Sequence, residues 1–145
     1  MSGWHWIALG AVFAGLSVAA GAFGAHGLNA QLPKMYAGQE REVAGVKISA
    51  AQKYLADFKT GAEYQMYHAL ALIAVGLLAT ARPSPWLTTA GWSFTGGILL
   101  FSGCLYALVL TGRTILGAIV PIGGVLFLVG WFALAVATTI GRTPR

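Results

Sequence analysis

The chain has 145 residues, 57% of them hydrophobic and only 9% charged, with a formal net charge of +5 and a mean hydropathy of +0.72. A water-soluble domain carries about a quarter charged residues to solvate its surface, so this composition excludes an ordinary soluble domain and requires much of the surface to face lipid. The basic excess is not a nucleic-acid footprint: Lys34, Arg41, Lys47, Lys53 and Lys59 alternate with Glu40, Glu42 and Asp57, whereas phosphate binding needs several cations on one face.

The expected partners of those cations are anionic lipid headgroups. Crossing about 30 Å of hydrocarbon takes about 20 apolar helical residues, and four blocks meet that need. The first, "WHWIALGAVFAGLSVAAGAFGA", covers about residues 4–25. Its leader "MSGWHW" lacks the Lys or Arg that a secretory signal carries before its apolar run, so the block reads as a retained span. His5, beside two tryptophans, reads as solvated at headgroup level.

A polar connector occupies 29–59. Its first part, "NAQLPKMYAGQEREVAGVKI", reads as irregular loop or short strand-like turns. In the second part Ser49 is a candidate N-cap, and Ala51, Tyr54, Leu55, Phe58 and Ala62 follow helical spacing. Residues 50–60 are therefore expected to form an amphipathic helix at the membrane interface, continuous with the next span or bent near Gly61. A soluble partner-binding helix is the competing reading.

The second span is placed at about 61–81, the third at 85–110 and the fourth at 115–140. The expected fold is all-α and integral to the membrane: an antiparallel bundle of four transmembrane helices in one domain, 1–145, with the amphipathic helix between spans one and two. Trp4, Trp6, Trp86 and Trp92 sit near span starts, where indoles favour headgroup depth, and Trp131 lies inside the last block. Glycines crowd spans one, three and four, and small residues let helices approach closely where lipid supplies no hydrophobic drive. Pro121 is expected to kink span four beside Gly123 and Gly124.

Four spans place the connector and Arg113 at one membrane face, with six Lys/Arg, and Arg82, Arg142 and Arg145 at the other. The positive-inside rule then puts the connector in the cytoplasm and both termini outside. The lone Cys104, in an apolar block, reads as a small hydrophobe. Neither CxxC nor a His/Cys cluster occurs, so no zinc, iron–sulfur or covalent haem site is supported.

Four stretches, "GAFGAHGL" at 21–28, "FKTGAEYQMYHALAL" at 58–72, "FSGCLYALVLTG" at 101–112 and "LGAIVPIGGVLFLVGW" at 116–131, resemble the domain-of-unknown-function 423 family of small membrane proteins (YgdD/YwdK-like). That family has eukaryotic relatives of the transmembrane-protein-256 type. The likeness covers nearly the whole chain in order, with a longer connector at about 34–52 and Cys104 where serine is more usual. It implies a four-helix inner-membrane (plasma-membrane) protein and brings no activity or catalytic residues.

The chemistry-bearing residues gather near one face. His26 closes span one; Glu63, Tyr64, Gln65, Tyr67 and His68 open span two; Ser102 and Tyr106 share a face of span three at i, i+4. Antiparallel spans would bring these eight together. As polar ties they would bond backbone carbonyls or one another, at roughly 0.5–2 kcal/mol per interhelical bond. As a site, His26, Glu63 and His68 would relay protons, or hold a lipid or quinone headgroup beside the tyrosines. Axial ligation of b-type haem by two histidines has poor support from spacing, and Ser102 lacks a G-x-S-x-G setting for nucleophilic catalysis. The leading reading is a non-enzymatic accessory or structural membrane subunit with no cofactor, in a homo-oligomer or larger membrane assembly. The alternative is a small transport, proton-relay or lipid/quinone-binding protein.

Overall fold

Heptad spacing of small and aromatic residues organises the bundle. The computed structural model describes residues 2–140. Four helices are long and apolar enough to cross a membrane: Gly3–Met35, Ala50–Ala81, Pro85–Thr111 and Ile115–Ile140, referred to here as spans one to four. Span one consists of α1 (Gly3–Phe23), a π-helical turn (Gly24–Leu28) and α2 (Asn29–Met35). A hairpin of β1 (Glu40–Val43) and β2 (Val46–Ser49) follows, then α3 (Ala50–Ala81), which is span two. Span three joins α4 (Pro85–Gly97) to α5 (Cys104–Thr111) through a second π segment (Ile98–Gly103), and α6 (Ile115–Ile140) is span four.

Spans one and two pack antiparallel along a seam of small residues seven apart. A Cβ on Gly3 would lie 2.5 Å from the Gly76 carbonyl oxygen and one on Gly10 2.7 Å from that of Ala69. One heptad further, the Ser17 hydroxyl donates to the Ala62 carbonyl at 2.8 Å, and Gly24 abuts the Phe58 ring. Each step of seven up span one meets a step of seven down span two over the first three levels, the repeat of a left-handed helix pair. Spans three and four use the same period with unequal residues. The Phe94 ring fills the space at Gly130 and the Phe127 ring that at Gly97, while the Phe101 backbone approaches Gly123 closely.

Two apolar cores result. One gathers Trp6, Leu72, Val75, Phe94 and Phe127 among all four spans. The other, at the connector end, joins Leu28, Leu32 and Tyr36 to Tyr54, Phe58 and Val109. The second core explains why the start of the connector is not the expected loop: Leu28 and Leu32 are one turn apart and fully buried, so helix continues to Met35. The strand-like expectation is met downstream, where Glu40 pairs with Ser49 and Val43 with Val46 around a turn at Ala44 and Gly45, both at positive φ as a type I′ turn requires.

Residues 50–60 continue span two without a break. Ser49 occupies the N-cap position but makes no side-chain capping bond. The helix buries Ala50, Ala51, Tyr54 and Phe58 against protein, and Lys53 pairs with Asp57 on its polar side. Arg41 of the hairpin donates to the Tyr54 hydroxyl at 2.9 and 3.2 Å, and the Tyr36 hydroxyl donates to the Val109 carbonyl at 2.9 Å. The connector thereby caps the end of span three, which Gly112 terminates in the left-handed conformation at φ 70°.

One aromatic expectation changes. Trp6 is not a headgroup anchor: it is 1% exposed, pressed on Gly91 and edge-on to Trp92, because Gly91 leaves a hole that an indole fills. Pro121 lies inside the continuous helix α6, and π-helical turns fall in spans one and three. Arg142 and Arg145 lie outside the described residues.

Candidate functional site

The eight candidate polar side chains sort into two ties, a buried serine and an outward-facing remainder. The first tie centres on Gln65, 5% exposed on span two. Its Nε2 donates to the Phe13 carbonyl of span one at 2.8 Å, and its Oε1 accepts from the Tyr106 hydroxyl of span three at 3.0 Å. One amide therefore joins three spans.

The second tie centres on His68, one turn further along span two and also 5% exposed. Its Nδ1 lies 2.7 Å from the Tyr64 carbonyl, and Trp131 of span four donates its indole N–H to Nε2 at 3.2 Å. A carbonyl only accepts and an indole N–H only donates, so both partners require the neutral tautomer with the proton on Nδ1. The imidazole stacks on Phe127 at 3.4 Å between centroids, 5° from parallel. With both nitrogens committed inside the protein, the ring can ligate or shuttle a proton only by first breaking one of these bonds.

The other expected members lie elsewhere. Tyr64 stacks on Phe101 at 4.8 Å, and Tyr67 is 55% exposed. Glu63 and His26 are exposed, the latter in the π turn of span one. Since Gly24 abuts Phe58, His26 sits near the level of Phe58, and His68 lies about ten residues, or about 15 Å, further along the helix pair. The eight residues therefore do not converge on one point: Gln65 and Tyr106 meet, His68 forms a separate tie, and His26, Glu63 and Tyr67 turn outward. Ser102 is fully buried, and among the described residues its hydroxyl finds no hydrogen-bond partner, a state that costs about 1–3 kcal/mol. No group of three His, Cys, Asp or Glu is placed to hold a metal among the described residues.

Sequence reasoning missed Ser17 and the role of Trp131. Ser17 stands in heptad register with Gly3, Gly10 and Gly24, a signal that was available. Trp131 is the tryptophan within an apolar block, where an indole N–H calls for an acceptor.

The family model described as "Protein of unknown function (DUF423)" matches residues 20–124. The chain belongs to the DUF423 family. The UPF0382 membrane protein YwdK of Bacillus subtilis is 45% identical over 132 residues, 90% of this chain and 93% of its own length. A UPF0382 membrane protein of Staphylococcus epidermidis is 43% identical over 132 residues, 91% of this chain and 93% of its own. No solved structure matches. The DUF423 match contains Gln65, His68, Ser102 and Tyr106, while Ser17 and Trp131 fall outside it. With four candidate spans and relatives named as membrane proteins, this DUF423 chain is a multi-pass membrane protein.

Proposed function

We propose that the chain is a non-enzymatic structural or accessory subunit of the cell's inner (plasma) membrane, acting through helix packing with further copies of itself or within a larger membrane assembly. The observation that carries this reading is His68: its ring nitrogens are both engaged within the bundle and its face is covered by Phe127. Gln65 is likewise engaged at both ends of its amide. Side chains that would perform chemistry instead hold helices in register.

Outward packing has a suitable surface. Ala11, Gly15 and Ala19 are exposed on span one at four-residue spacing, and a Cβ on Gly15 would meet nothing within 4 Å. Small residues at this spacing let a second helix approach closely in lipid.

Affinity purification of the chain from native membranes, at its natural expression level, tests the reading. The expected result is a stoichiometric protein partner or a defined homo-oligomer. Recovery as a partner-free monomer would overturn it, most directly if a folded His68→Phe variant also lost a measurable proton flux.

A further inference from the structure

A groove of ≈ 320 Å³ opens beside the first polar tie, between spans one and three. Phe13 and Leu16 form one wall; Ile98, Leu99 and Gly103 form the other; Gln65 and Tyr106 supply its polar end. No charged side chain lines it, so it suits a neutral hydrogen-bonding group attached to an apolar body and offers nothing to neutralise a phosphate.

The wall on span three is its π segment, Ile98–Gly103, and π turns recur at functional sites. Ser102 sits within that segment, surrounded on its own helix by groove residues: Ile98 and Leu99 one turn before it, Gly103 next to it and Tyr106 one turn after it. Thr95 and Thr111, in regular helix, donate to the carbonyl four residues back at 2.8 and 2.6 Å. Ser102 does not, and its buried hydroxyl remains unpartnered among the described residues. Gln65 uses one of its two amide N–H groups on Phe13, leaving the other available. The groove thus borders one uncommitted donor, the Gln65 amide, and the Ser102 hydroxyl lies buried behind its π-segment wall.

Depth narrows the occupant. Lys59 and Glu63 are exposed on span two and mark headgroup level. Gln65 is two residues deeper, about 3 Å along the helix, where the ester carbonyls of a glycerolipid lie beneath its headgroup. We propose that this groove is a lipid site: an acyl chain lies along the Phe13, Leu16 and Leu99 walls, and its ester carbonyl accepts hydrogen bonds from Gln65 and, with a rotamer adjustment, from Ser102. Recognition is of the ester, not of the headgroup charge.

Native mass spectrometry of the full chain, delipidated in detergent, tests this with phosphatidylglycerol carrying ester-linked chains and its ether-linked analogue, which has no carbonyl. One retained ester lipid is expected, held about tenfold more tightly than the ether, the factor that about one hydrogen bond supplies. Ser102→Ala should reduce that preference while keeping the fold. Gly103→Leu should remove the adduct, because a Cβ at Gly103 meets nothing within 4 Å and the side chain can fill the groove without displacing a helix. Thermal unfolding of both variants confirms folding. Equal retention of ester and ether lipid by the wild type, or undiminished retention by Gly103→Leu, would overturn the proposal. So would a Ser102→Ala variant that gains stability with its ester preference unchanged, since the hydroxyl would then be an internal defect only.

Discussion

Trp131 and Tyr67 are both aromatic, both about half exposed, and differ in one respect that decides their worth. Trp131 donates to a buried acceptor on another span, whereas Tyr67 projects from span two with 55% of its surface exposed. Trp131→Phe keeps apolar bulk and strands the Nε2 lone pair of His68. A loss of about 1 kcal/mol is expected, the usual scale for an interhelical hydrogen bond in a bilayer, read as a lower unfolding midpoint in detergent. Tyr67→Phe should leave the midpoint unchanged. Equal effects would remove the indole–imidazole bond from the account. The sequence makes the polar character of His68 and Gln65 plain, but a partner 63 residues away leaves no local mark. Their roles become legible only with the fold.

At the scale of elements, the seams depend on small residues at particular levels rather than on glycine content. A side chain at Gly10 would meet the Ala69 carbonyl oxygen at 2.7 Å and the Ile73 side chain at 2.8 Å, whereas one at Gly21 would meet nothing within 4 Å. Gly10→Leu should therefore wedge span one from span two and cost about 1–3 kcal/mol or more, while Gly21→Leu should be near neutral. Comparative thermal unfolding of the two variants measures the contrast. Hydropathy marks the apolar blocks but not where a helix ends: spans one and two, Gly3–Met35 and Ala50–Ala81, run into the polar connector beyond their apolar blocks. Which faces meet was not legible, since in lipid both the buried and the exposed sides of a helix are apolar. The π turns at Gly24–Leu28 and Ile98–Gly103 were not legible either, because one extra residue per turn has no signature in composition. The seven-residue spacing of Gly3, Gly10, Ser17 and Gly24 was present to be read; only its partner was hidden.

For the molecule as a whole, the two ends are unlike. Spans one and two have 33 and 32 residues, about 48 Å of helix each, against about 30 Å of hydrocarbon. The excess stands at the connector end, where Tyr36 bonds Val109 and the Arg113 turn follows. Six Lys/Arg lie there, against Arg82 at the other end among the described residues. By the positive-inside rule this end is expected in the cytoplasm, which cysteine labelling tests. In a Cys104→Ser background, a cysteine at Pro83 should react with a membrane-impermeant maleimide on intact cells, and one at Gln39 only after permeabilisation. The reverse pattern would invert the orientation.

The four spans are two helical hairpins, each zipped internally by its own heptad seam, whereas the bonds from Tyr106 to Gln65 and from Trp131 to His68 run from one hairpin to the other. During synthesis the first hairpin is complete before its hydrogen-bonding counterparts exist. Until they arrive, the Gln65 Oε1 and His68 Nε2 acceptors lack these donors in hydrocarbon, where an unmet polar group is expensive. A truncated or half-inserted chain is thus chemically distinguishable from a finished one, and the arrival of the second hairpin erases the difference. The polar ties are therefore a property of the finished bundle alone, since neither can form before both hairpins share the membrane.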